Sequence, residues 1–330
     1  MPGPPATAGS ARERLDVVTF GEALVSFRSA GPAALGSPMV PSLAGAESNV
    51  AIGLARLGHR AAWVGRLGAD LFGDLALREL RGEDVDVRYV VRDPQAPRGA
   101  QTGLMFLEHR TADVSRVEYR RAGSAGSRLQ VADLLPALAE PPRVLHWTGI
   151  TPALSADARD ACEAAIRSAV EAGSYISLDV NHRSSLWSRD TASSVLRDLV
   201  GHTDLVVASE DELDLVADGD EAAAVGALLD LGVDRVVVKR GAAGASLWTA
   251  ADRIDCPALQ VTAIDTVGAG DAFCAGFLSG WLDGLDGAGC LARGVLIGGY
   301  AVSTLGDWEG LPRRAELDLV GVVRAGDTLR

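Results

Sequence analysis

ALQVTAI-DTVGAGD-AFCAGFLSGWL, residues 258–282, passes from an alternating apolar stretch through a glycine-rich turn into a run with Phe273, Phe277 and Trp281 at helical spacing. The reading is strand, turn, helix. Gly268 and Gly270 remove side chains where backbone amides can face an anion, and a helix N-terminus adds positive partial charge at the same place. Asp271, in the first turn, is expected to be held ionised by that helix end. It can then accept a proton while the Gly268, Ala269 and Gly270 amides cradle a phosphoryl group. On spacing alone the segment reads equally well as a plain glycine-rich turn with an acidic first-turn residue.

Outward from this unit, short β-rich runs alternate with helical ones. DVVTFG is followed by the helix SNVAIGLARLG, AAWVGRLG by LFGDLALRELRG, then VDVRYVV as a strand, and VLHWTG by ADARDACEAAIRSAVEAG. YISLDV, DLVVAS, helices through ELDLVADG and EAAAVGALLDLG, RVVVKRG and ASLW lead to two C-terminal helices starting near Ala269 and Gly287. This order predicts an α/β fold with a doubly wound, mostly parallel sheet flanked by helices. Between Ala100 and Arg121, QTGLMFLEH and SRVEYRR read instead as two facing strands with TAD at the turn. They predict a small β-rich lid, built from segments near 22–44 and 98–123. MPGPPATAGSARER, residues 1–14, has no apolar period and reads as a disordered tail, leaving 15–330 as one domain with its lid.

Bulk properties remove whole classes of partner. A formal charge of −13 repels nucleic-acid backbones and anionic lipid surfaces, so neither is an expected partner. Any phosphate site must be built locally. Cys162, Cys256, Cys274 and Cys290 form no CxxC pair and read as reduced thiols, and the five histidines show no zinc spacing. No apolar run approaches transmembrane length, and a soluble cytosolic protein is expected. A GxGxxG fingerprint fails because Phe273 stands at the third glycine position. The nearest GxxxxGK[ST] candidate, Gly68 to Gly73, is followed by Asp74. No HRD or DFG element is present.

With these residues in view, the chain resembles the ribokinase-like, or PfkB, sugar kinases, whose C-terminal signature ends in a Gly-Ala-Gly-Asp run like 268–271. Ala44-Gly-Ala-Glu-Ser-Asn-Val-Ala51, followed by LARLG and VGRLGADLFG, is similar to the family's first signature at the sugar site. The resemblance implies ATP and Mg²⁺ as co-substrate and metal, Asp271 as base, and Gly45 and Asn49 at the substrate. It implies a nucleotide loop at Lys239 to Gly244, with Gly241 and Gly244 making the turn, and Glu212 organising magnesium through water. Asp265 matches the position near which a monovalent cation such as K⁺ is often bound through backbone carbonyls. A homo-oligomer formed through the lid is a family-level expectation. Two departures are Ala44 in place of the first glycine of a Gly-Gly pair, and Ser209 in place of Asn in the Asn-x-x-Glu element.

Substrate class rests on finer likeness. The Asp that neutral-sugar kinases carry after the first strand corresponds to Ser26. VEYRRAGSAGS, with Tyr119 and Arg121, and LDVNHRSSLW, with Asn181 and Arg183, look like segments of 2-keto-3-deoxygluconate kinases. There such residues contact an acid sugar and, at the second segment, also the nucleotide. Asp307 resembles another substrate position of that subgroup, whereas Met105 replaces a common tyrosine. A neutral-sugar kinase such as a fructokinase is the alternative. A nucleoside kinase or a non-catalytic sugar-binding protein fits less well.

Overall fold

The structure, a computed structural model, describes residues 14–29, 31–93, 99–111 and 114–317. Its first part comprises β1 (Val17–Phe20), β2 (Leu24–Ser29), β3 (Val40–Ala44), α1 (Ala46–Arg56), β4 (Ala61–Val64), β5 (Arg66–Gly68), α2 (Leu71–Gly82) and β6 (Val91–Asp93). Next come β7 (Gly103–Thr111), β8 (Val114–Arg120), α3 (Val131–Leu138), β9 (Val144–Thr148), α4 (Ala156–Glu171), β10 (Tyr175–Asp179) and α5 (Arg189–Val200). The last part holds β11 (Leu205–Ser209), α6 (Glu221–Asp230), β12 (Arg235–Lys239), β13 (Ala245–Trp248), β14 (Arg253–Cys256), α7 (Ala269–Leu282) and α8 (Gly287–Val302).

An eight-stranded sheet runs in the order β14-β13-β12-β11-β10-β9-β1-β4. Strands β4 to β12 in that row pair in parallel, and β13 and β14 extend one edge in antiparallel fashion. Its strands read as continuous apolar runs because both faces are covered. Val206, Ala208, Val236 and Val238 point into one core with α3 to α6, whereas Leu205, Val207 and Val237 point into the other with α1, α2, α7 and α8. A second sheet, β3-β2-β7-β8, stands beside the first. There β7 and β8 form the expected hairpin, and residues 112–113 of its turn lie outside the described residues.

Apart from α3, which starts at Gln130, helix starts fall into two kinds. Asp70, Ser155, Ser188, Asp220 and Asp286 cap α2, α4, α5, α6 and α8 with side-chain oxygens that accept first-turn amides. Helices α1 and α7 start instead at Gly45 and Gly268, with no side-chain cap. Both glycines have positive φ, 144° and 75°, and a Cβ at either would strike neighbouring backbone. These two uncapped helices pack on each other.

Several expectations are corrected. ALQVTAI is not a strand: β14 ends before Pro257, which has no N–H for a ladder. The segment then crosses α8, with Ile264 N donating to Val302 O at 2.7 Å. ELDLVADG forms only a 3₁₀ turn at Leu213–Leu215, and of VDVRYVV only Val91 enters the short β6. Helices α3 and α5 and strand β14 are additional to the sequence reading. Residues 1–13 of the expected tail lie outside the described residues, as do 318–330. Arg14 already belongs to the fold, its Nε donating to Pro141 O at 2.7 Å.

Candidate active site

Parallel strands end together at the carboxyl edge of the large sheet, the usual place for a ligand crevice in such folds. Asp179 ends β10, Ser209 ends β11 and Lys239 ends β12. These three line a cavity of about 360 Å³ together with Asn181, Arg183, Glu212, Gly268, Gly270 and Asp271. Met105, Leu107, Val117 and Tyr119 of the small sheet close it from the other side.

Asp271 sits in the first turn of α7 and is 7% exposed. Asn49 Nδ2 of α1 donates to its Oδ2 at 2.8 Å, and Asn181 Nδ2 donates to its Oδ1 at 3.3 Å. Each oxygen therefore keeps a lone pair free of those two bonds. Burial pushes this carboxyl above its ordinary range; the Asn49 bond opposes that, Asp179 adds to it, and Arg183 and Lys239 oppose it. Desolvation thus works against the charged form that the Asn49 bond and the helix end favour.

Beside it, Lys239 Nζ meets Asp179 Oδ1 at 2.7 Å. Burial works against the lysine's charge, but Asp179, reinforced by Cys274 and Glu212, raises it above the usual lysine range. A Cβ at Gly270 would lie 3.3 Å from Nζ, so the ammonium borders the glycine turn. Asn181 takes a positive φ of 41°, and its amide spans Asp179 and Asp271. Asp179 was not among the sequence candidates. Its signal was its place at a strand's carboxyl end, two residues before Asn181.

Glu212 organises two loops: His182 N donates to Oε1 at 2.7 Å and Ser209 N to Oε2 at 2.9 Å. After β12, Gly241 and Gly244 form a turn closed by Arg240 N donating to Gly244 O at 2.8 Å. Of the nucleotide-loop candidates, Lys239 lines the cavity, whereas Gly241 and Gly244 lie in the turn just beyond it.

The expected sugar contacts divide. Tyr119 pairs with Met105 across β8 and β7 on the cavity wall. Arg121 lies one residue past β8 and does not line the cavity. Its Nε donates to Glu22 Oε2 at 2.7 Å, and its guanidinium rests 5.2 Å from the Tyr119 ring centroid. Arg183 is exposed, lines the cavity, and donates Nη1 to His182 O at 3.2 Å. Gly45 supports the site from behind, its carbonyl accepting from Asn49 N at 2.8 Å.

Asp265 and Asp307 are both bonded by Arg28 of β2, a residue outside the sequence candidates. Burial pushes the Asp307 carboxyl up to about 7; Arg28 opposes this, and Asp271 and Glu309 add to it. The Asp307 backbone lies against Gly268, where a Cβ would collide with its carbonyl. Among the described residues, no group of three or more His, Cys, Asp or Glu side chains is arranged to hold a metal ion.

Known proteins resemble this chain along nearly its whole length. The model of the pfkB family carbohydrate kinases matches residues 14–314. A 2-dehydro-3-deoxygluconokinase of Bacillus subtilis (strain 168) is 37% identical over 310 residues, covering 92% of this chain and 94% of that protein. The crystal structure of a PfkB protein from Polaromonas sp. JS666 superposes with a TM-score of 0.82 at 36% identity, covering 92% of this chain and 99% of the other. A putative ribokinase II from E. coli in complex with ATP and Mg²⁺ superposes at 0.83 with 25% identity, covering 93% and 98%.

Proposed function

Because this chain belongs to the pfkB family of carbohydrate kinases, phosphotransferases acting on a sugar hydroxyl, we propose that it transfers the γ-phosphoryl group of ATP to the primary hydroxyl of 2-keto-3-deoxygluconate, giving the 6-phosphate. One observation carries the reading: the buried Asp271 carboxylate, held by Asn49 and Asn181, shares a cavity with the uncapped start of α7 and the Asp179–Lys239 pair. The likeness to the Bacillus subtilis enzyme supports the substrate class.

In this reading the acceptor hydroxyl lies between Asp271 and Tyr119, and the triphosphate lies across the Lys239 turn. Asp271 takes the hydroxyl proton as that oxygen bonds to the γ-phosphorus, and the bond from γ-phosphorus to the bridging oxygen breaks to leave ADP. The Gly268 to Gly270 amides and the Lys239 ammonium face the charge on the moving group. Arg183 is the guanidinium open to an anionic group, while Arg121 braces Tyr119 from behind. The small sheet acts as the lid that excludes water.

Magnesium's residues fit. Glu212 lines the cavity, and each of its oxygens accepts one backbone amide and retains a lone pair for a metal-bound water. When bound, the ion neutralises charge on the triphosphate.

An ADP-release assay over acidic and neutral sugars tests the substrate. We expect kcat/KM for 2-keto-3-deoxygluconate to exceed that for fructose by about tenfold or more, the scale that a site built around a substrate's polar group imposes on an analogue lacking it. Arg121→Ala should shrink the ratio by loosening Tyr119. A ratio favouring fructose would replace this substrate with a neutral sugar.

A further inference from the structure

Asp265 is the position near which family likeness implies a monovalent cation held through backbone carbonyls, and here its carboxylate is already engaged by this chain's own groups. Its Oδ2 accepts from Arg28 Nη1 at 2.9 Å and from Gly306 N at 3.3 Å, and its Oδ1 accepts from Val267 N at 3.1 Å. The other terminal nitrogen of the same guanidinium bonds Asp307 Oδ1. The Arg28 side chain is 11% exposed and both carboxylates are 5% exposed, so the three charges meet away from solvent. A metal ion at this carboxylate would have to displace the guanidinium or lie against it, positive charge to positive charge. This carboxylate, already paired with a buried guanidinium, does not fit a soluble cation.

The guanidinium also joins three separate pieces of chain. Arg28 belongs to β2 of the small sheet, where it pairs in register with Leu107, a residue of the cavity wall. Asp265 enters the glycine turn three residues before Gly268, and Asp307 packs its backbone against Gly268 from the other side. A planar, permanently charged fork can hold both carboxylates at once, and a single lysine ammonium or a mobile ion cannot reproduce that geometry.

We infer that Arg28 is a resident cation of this enzyme: it supplies at Asp265 and Asp307 the positive charge expected of a monovalent metal ion, fixes the glycine turn against the small sheet, and removes the requirement for K⁺. Arg28 touches no reacting atom and is a positioning residue. The inference rests on the kinase reading only for its activity assay.

The test compares wild type, Arg28→Ala and Arg28→Lys in tetramethylammonium and in potassium buffers at a common ionic strength of about 0.1 M, so that general screening is equal. Wild-type kcat should change by less than about twofold between the two buffers. Arg28→Ala should lose about tenfold or more in tetramethylammonium and regain much of it on addition of K⁺ or free guanidinium, because the buried carboxylates are then left to a mobile partner. Arg28→Lys should fall between them and ignore K⁺.

Melting temperature reads the same contrast without turnover. A bound ion stabilises only the state that binds it, so K⁺ should raise the Arg28→Ala transition and leave wild type unmoved. Wild-type activity that rises more than about fivefold with K⁺, or a wild-type transition that rises with K⁺ at equal ionic strength, overturns the inference. If Arg28→Ala does not fold, the wild-type and Arg28→Lys titrations decide the question. Absence of turnover with every sugar in both buffers would instead reject the kinase reading.

Discussion

The two ends of the cavity are built by different means. At the phosphate end, Gly268, Ala269, Gly270 and Asp271 are consecutive in sequence, and Lys239 and Asp179 end neighbouring parts of the large sheet, between two continuous cores. At the sugar end, charges come together across the chain: Glu22 meets Arg121 99 residues away, and Arg28 meets Asp265 237 residues away. A helix start next to a core strand end gives a stiff anion site from local geometry alone. The small sheet carries a minor apolar cluster, Leu24, Ala44 and Met105 with Tyr119, a stacked Phe27–Phe106 pair, and the buried ion pairs of Glu22 and Arg28. On the proposed reading, chemistry belongs to the phosphate end and selectivity to the sugar end.

The largest expected break is at the phosphate end. Asp271→Asn keeps shape and both amide-bearing neighbours but removes the base, and kcat should fall by about 10³-fold or more with an unchanged unfolding transition. A loss under about tenfold would move the proton transfer elsewhere. The next effect separates the two ends by stability. Lys239→Met leaves Asp179, whose side chain is 1% exposed, without its counter-ion. Denaturant unfolding should show a loss of about 3 to 5 kcal/mol, largely recovered in the double variant Asp179→Asn/Lys239→Met. A loss below about 1 kcal/mol would mean that the pair is not holding the strand ends together.

The stiff end was the more legible one. Gly268 to Asp271 could be read because a helix start is a local object, whereas Asn49 and Lys239 were reached only through family likeness. The alternation of Leu259 and Val261 misleads: it has the period of a strand, yet Leu259 packs on Gly299 of α8. Helix α5 was readable from its Ser188 cap and the spacing of Ala192, Leu196 and Leu199, although the polar residues between them hide the pattern. Arg28 was not readable. Nothing near it in sequence indicates that its partners lie at 265 and 307, since that choice is made by how two sheets dock.

A smaller effect tests how Asp271 is tuned. Asn49 donates to the carboxylate and so favours its charged form. Asn49→Ala removes that support and raises the carboxyl further. The base is then protonated over a wider range, and the acid limb of kcat/KM moves to higher pH. The variant should lose more activity at about pH 6 than at about pH 8.5. Equal losses at both would mean that Asn49 serves substrate binding and not the base.

The most direct measurement is a crystal structure with 2-keto-3-deoxygluconate and a non-hydrolysable ATP analogue. The acceptor hydroxyl should lie within about 3 Å of an Asp271 oxygen, with the terminal phosphate against the amides of Gly268 to Gly270. A sugar bound with its primary hydroxyl directed away from Asp271, or a terminal phosphate held elsewhere than at the start of α7, would contradict the account.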